Sequence, residues 1–240
     1  MRQQWTALIL SGALICAMSV PALAAAPVES ASPPAPEETD SLPDSILYYG
    51  AVEEIGRDEN GAVTRLSLTS ESSGEFVMNL SGETVWIDSG NHTRDDPSDL
   101  EAGEYLYVFH SPVATLSIPP QSTALAVVRH VPMDAGCARY HQVEAVSRKE
   151  GQMTITTDNG GLLLLADGET VLSRYDGGEV SPEDIQTGGR VMAWYAAVAQ
   201  SCPGQAHPSH LMLLPAAAGE TAAAETEEPL TRGELVSMLH

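Results

Sequence analysis

From about residue 46 to residue 215, apolar positions recur at every second residue, in short runs separated by turn-forming residues. "YYGAVEEI", "VTRLSLT", "EFVMNL", "TVWI", "YLYVF" and "ALAVVRHV" make a first series. "YHQVEAV", "MTITT", "LLLLA", "TVL", "RVMAWYAAV" and "HLMLL" make a second. A period of two sends alternate side chains to opposite faces, so these runs predict β-strands, with "DENG", "KEG" and "DNGG" as turns. Only "DPSDL" and "SPEDI" read as helical. In each, Asp or Ser caps one short turn, and Gly103 or Gly188 closes it.

The two series answer one another. Gly82-Glu83-Thr84-Val85 matches Gly168-Glu169-Thr170-Val171, and Pro97, Asp99, Leu100 and Gly103 fall on Pro182, Asp184, Ile185 and Gly188. Matches in one order at a near-constant offset indicate an internal duplication. Three strands, a helical turn and two more strands is the order of a five-stranded Greek-key barrel of the OB type, whose closure removes exposed strand edges. The expected fold is all-β: two tandem OB-like barrels, at residues 46–133 and 134–215. A single β-sandwich drawing on both copies is the alternative. The alternating row Tyr105, Tyr107 and Phe109, with Trp194 at the matching place in the second copy, is expected to face a barrel core.

The flanks have a different composition. Arg2, an apolar run from Leu8 to Val20 and small residues at Ala22 and Ala24 predict a signal peptide over residues 1–24. Pro/Ser/Glu-rich residues 25–45 and Ala/Glu/Thr-rich residues 216–228 read as disordered spacers. No other apolar run approaches the ~20 residues needed to cross a bilayer. The expected product is therefore exported, with no membrane span once the leader is removed. The formal net charge is −22, and removal of Arg2 with the leader makes it more negative still. Nucleic acid and anionic lipid both demand Lys and Arg, so neither is expected as a partner.

Candidate chemistry gathers in the second copy. Cys137-x3-His141 opens it, and Cys202-x4-His207-x2-His210 lies near its end. Two thiolates and two imidazoles converging there would suit a tetrahedral metal site. The same two cysteines, alone in the chain once the leader is gone, would equally suit one disulfide of an exported protein. Free buried thiols are the third reading. "DENG" is better read as a hairpin tip than as part of a calcium loop. No nucleophile elbow, zinc-protease helix or phosphate-binding loop is present, so neither catalysis nor a cofactor is expected.

The chain closes on "PLTRGELVSMLH". Thr231 and Glu234 form a capping box, Leu230 and Leu235 a hydrophobic staple, and Leu235, Met238 and Leu239 an apolar stripe. This helix over residues 229–240 is shorter than the ~12–15 residues of marginal stability, so it needs a partner. "LTRGELVSMLH" resembles the T-R-A-E-[FL] helix of S-layer homology domains, matching it at Thr231, Arg232 and Glu234, with Gly233 in place of alanine. The resemblance implies binding of cell-wall polysaccharide on peptidoglycan, with Arg232 beside the sugar groove, a bacterial cell-surface location, and a record cut short as the anchor begins. A C-terminal helix docked on the second barrel is the alternative. The expectation is thus an exported, non-catalytic surface protein whose barrels bind a glycan, peptide or protein, or serve as a stalk. The competing expectation is a metal-binding or enzymatic domain centred on Cys137, His141, Cys202, His207 and His210.

Overall fold

A computed structural model describes residues 42–133 and 137–216. The leader, most of both spacers and the helix carrying Thr231, Arg232 and Glu234 lie outside the described residues. The first copy comprises β1 (Ile46–Arg57), β2 (Val63–Ser70), β3 (Gly74–Asn79), β4 (Val85–Asp88), β5 (Thr93–Arg94), β6 (Tyr105–Ala114) and β7 (Gln121–Arg129). A 3-10 turn at Pro97–Asp99 stands between β5 and β6. Antiparallel pairing joins β1 to β2 and β6, β2 to β3, and β6 to β7. β3 then runs parallel to β7, which closes a five-stranded OB-like barrel. β4 resumes the path of β3 along the same edge, with Val85 opposite Ala126.

The second copy repeats this circuit with its long strands broken. β8 (Arg139–Gln142) and β9 (Ala145–Lys149) replace β1, followed by β10 (Gln152–Thr157), β11 (Leu162–Ala166) and β12 (Val171–Arg174). β13 (Arg190–Trp194) and β14 (Val198–Ala199) replace β6, and β15 (Gly204–Ala206) and β16 (His210–Leu213) replace β7. The parallel closure recurs between β11 and β15, and the parallel extension between β12 and β16.

The duplicated motifs do the same work in both copies. Thr84 Oγ1 accepts from the Ser81 N–H and donates to the Ala124 carbonyl; Thr170 Oγ1 accepts from the Asp167 N–H and donates to the Pro208 carbonyl. Each hydroxyl staples a turn to the last strand system of its barrel. Gly103 donates to the Val52 carbonyl and Gly188 to the Val143 carbonyl, at φ values of 90 and 86 where a side chain would be strained.

Three apolar clusters result. Tyr48, Val52, Leu66, Met78, Leu106 and Val108 fill the first barrel. Ile155, Leu164, Val191, Ala193 and Leu211 are central to the second. The third joins Val85, Ile87, Phe109, Ala126 and Val128 of one barrel to Ala138, Tyr140, Met192, Trp194, Met212 and Leu214 of the other. The expected pair of barrels is present, each with its own core, and the copies share a third core besides. One expectation is corrected here. The aromatic row of β6 does not face the barrel core: Leu106 and Val108 do, while Tyr105 and Tyr107 point outward and Phe109 enters the shared cluster. Pairing with β1 and β7 sets which face of β6 turns inward, and both of its rows are apolar enough to be buried.

The end of the expected first spacer also departs from disorder. Asn159 Nδ2 donates to the Leu42 carbonyl at 3.0 Å, tying Leu42 to the β10–β11 turn.

Candidate functional site

Register makes residues of the two barrels comparable. Tyr49 faces Tyr107 across β1 and β6, and Tyr140 faces Met192 across β8 and β13. Counting from the paired Val52–Gly103 and Val143–Gly188 contacts, Tyr49 corresponds to Tyr140 and Tyr107 to Met192. The second pair is buried in the shared cluster, with Tyr140 at 6% exposure. In the first, Tyr107 is half-buried against the shared cluster and Tyr49 lies open. Tyr49 is 46% exposed and the neighbouring Tyr105 59%. Their ring centroids are 5.4 Å apart, and Tyr49 stands 4.4 Å from Tyr107. Exposed Leu47 extends this strip along β1. Desolvation, with the neighbouring Tyr49 and Cys137, raises the Tyr107 pKa, so the phenol stays a neutral donor. Past Cys137, Arg139 lies over the Tyr195 ring at 5.5 Å.

The residues marked by sequence for metal or disulfide chemistry have other partners. Cys137 is half-buried and donates its thiol to the Ala138 carbonyl at 3.0 Å; burial, only partly opposed by Arg139, pushes its pKa up to about 12. Cys202 is exposed in the β14–β15 loop, and both cysteines are free thiols, so the disulfide is not formed. His141 is buried between Asp158, 3.2 Å from Nδ1, and the Tyr195 hydroxyl, 3.1 Å from Nε2. His210 meets the Ser173 hydroxyl at 2.7 Å and packs against Trp194 and His92. Burial, followed by the charge of His92, lowers its pKa to about 4. His207 is exposed. These five side chains do not gather their donor atoms into one centre.

A polar constellation that sequence inspection missed sits at the seam. Arg129, 3% exposed, is held by Glu104 through both oxygens at 2.7 and 3.1 Å, and by Asp95 and Asp99 at 2.9 Å each. Beside it, Asp88, Asp95 and His130 bring three ligand atoms within 4.8 Å of one another, the one such group among the described residues. Burial opposes ionisation of Asp88, yet the Asn91 amides and His130 outweigh it and lower the pKa. Next along the chain, Ser89 accepts the Trp194 indole N–H through its carbonyl and hydroxyl, and its hydroxyl also takes the Ala138 N–H. The only signal in the sequence was "DDPSD" followed far away by "RH", which no local spacing rule connects.

Between the barrels a cleft of about 780 Å³ is walled by Trp86, Arg94 and Tyr175, with Arg57 and Arg190 at its sides. Arg94 lies 5.3 Å over the Tyr175 ring, and Arg57 and Arg190 donate to backbone carbonyls. Asp58, Glu83 and Asp96 also line it, so its charge is balanced. No helix among the described residues is long and apolar enough to cross a membrane.

No protein-family model matches the chain. No curated protein matches it either. Similar solved structures include the HINa domain of Ifi202 in complex with a 20-bp double-stranded DNA, at 9% identity over 72% of this chain and 96% of that one, TM-score 0.25. Another is a murine DNA-binding protein bound to double-stranded DNA, at 10% identity over 68% and 93%, TM-score 0.22. A third, described as structural mimicry for functional antagonism, shows 9% identity over 74% and 98%, TM-score 0.25. None of these three is described as an S-layer module, and two hold DNA. These neighbours, two of them bound to double-stranded DNA, are at odds with the expected wall-anchored surface protein, partnered by cell-wall polysaccharide and closed to nucleic acid.

Proposed function

We propose that the chain is a non-catalytic binding protein that holds a ring-bearing ligand on the strip formed by Tyr49, Tyr105 and Tyr107, an oligosaccharide being the simplest such ligand. One observation carries the reading: Tyr49, in ring contact with both Tyr105 and half-buried Tyr107, stays exposed with Tyr105 in the first barrel, where the residue corresponding to Tyr49 in the second, Tyr140, is buried. Exposed aromatic surface of this kind costs free energy unless something covers it. A sugar ring offers C–H faces to stack on the rings and hydroxyls to meet the phenols, so both halves of each tyrosine are used.

The test is calorimetric titration with a panel of neutral hexasaccharides, and with a thymidine dodecamer at physiological salt. Binding of an oligosaccharide that weakens about tenfold in Tyr105→Ala and in Tyr49→Ala, with unchanged melting temperature, supports the reading. Oligosaccharide affinity indifferent to both substitutions would remove it. So would tighter binding of the thymidine oligomer that fades with added salt, the signature of phosphate contacts.

A further inference from the structure

We propose that Asp88, Asp95 and His130 form a binding site for a divalent metal ion, with Zn²⁺ the best fit among common ions. The donor set is one imidazole nitrogen and two carboxylate oxygens, all within 4.8 Å of one another. That spacing lets three atoms reach one ion at about 2.0–2.2 Å after small side-chain rotations. A mixed nitrogen and oxygen set suits Zn²⁺ better than Ca²⁺, which prefers oxygen alone.

The surrounding charge asks for a further cation. Asp95, Asp99 and Glu104 already share the single guanidinium of Arg129. Asp88 adds a fourth carboxylate, and its partners are the Asn91 amides and His130. Asp88 and Asp95 are largely hidden, their side chains 13% and 11% exposed, so solvent screens their repulsion poorly. The side chain of His130 is 47% exposed, which leaves an entry path and room for water in the remaining coordination position. Asn91, which donates to both oxygens of Asp88, would orient that ligand from behind.

The three ligands come from the end of β4, the residue after β5 and the residue after β7. An ion there would tie together the strand ends from which Ser89 reaches the Trp194 indole, and so would brace the seam between the barrels. The site does not touch the tyrosine strip and does not depend on it.

The experiment uses the full chain, freed of metal with a chelator and titrated with ZnCl₂ by calorimetry. One ion is expected to bind, with affinity reduced at least about tenfold in Asp88→Asn and in His130→Ala. Added Zn²⁺ should also raise the melting temperature of the parent protein and leave both variants unmoved. Were either variant to misfold, Mn²⁺ added to the unmodified chain should broaden the His130 ring resonances before those of the other histidines. Absence of saturable binding would overturn the proposal, as would equal affinity in the folded variants. Broadening that spares His130, or Ca²⁺ binding as tight as Zn²⁺, would overturn it equally.

Discussion

The two barrels share a strand circuit and differ in how each meets the other. Val85 on β4 is 3% exposed, whereas the corresponding Val171 on β12 is 55% exposed. The tyrosines show the reverse, with Tyr140 covered and Tyr49 open. The first barrel thus offers its β4–β7 side to the seam and the second its β8–β13 side. A contact between copies that joins different sides leaves one homologous surface unused on each. What remains on the first barrel is the tyrosine strip, and duplication alone would not have revealed it.

The copies differ just as much in polar support. The first barrel buries Arg129 among three carboxylates beside its 3-10 turn, while at its own 3-10 turn the second sets the partly exposed Arg174–Asp184 pair at 3.2 Å. The largest expected effect tests this contrast. Arg129→Met should destabilise by about 3 kcal/mol in chemical denaturation, because it strands the largely buried Asp95 and the partly buried Glu104, while the exposed Asp99 stays solvated. Arg174→Met should cost less than about 1 kcal/mol, as exposed pairs do. Equal losses would erase the distinction.

Next in size is the seam itself. Tyr140→Ala should cost about 3 kcal/mol by opening a cavity in the shared cluster. Tyr49→Ala, at the corresponding place, should stay within about 0.5 kcal/mol, as surface changes do. Similar losses at both positions would show that Tyr49 packs like a core residue.

The smallest effect is a pH dependence confined to the second barrel's side of the seam. The His210 pKa falls from 6.5 to about 4 on folding, so the unfolded chain binds more protons between those values. The stability this contributes is fully present above about pH 6.5 and is lost as pH drops toward 4, on the order of 2 kcal/mol in all. His210→Gln should flatten that part of the melting-temperature profile. A profile unchanged by the substitution would place the titrating group elsewhere.

Much of the architecture was legible because strand periodicity and turn chemistry are local. Thr84 and Thr170 sit in matched turns, Gly103 and Gly188 both take the left-handed conformation, and "DENG" closes on Asp58, whose carboxylate accepts from the Asn60 and Ala62 N–H groups. The outward row of β6 was not legible. Tyr105, Tyr107 and Phe109 alternate with Leu106, Val108 and His110, both rows are largely apolar, and strand parity is decided by barrel closure. The Cys/His reading failed for a related reason: sequence proximity of Cys202, His207 and His210 says nothing of direction, and His210 turns to Ser173. Conversely, the β4–β5 hairpin sets Asp88 near Asp95, but His130 lies far along the chain and joins them only because β4 and β7 run side by side.

By itself the sequence determined that strands form, where they turn and that the unit was copied, since those depend on side-chain alternation and backbone preference within a few residues. Only tertiary structure decided which face of each barrel is hidden, because burial is settled by the partner surface that Trp194, Met192 and Phe109 find across the seam. The same long-range packing leaves Tyr49 and Tyr105 in solvent and brings His130 to the two aspartates of the β4–β5 hairpin, and no local rule encodes either outcome.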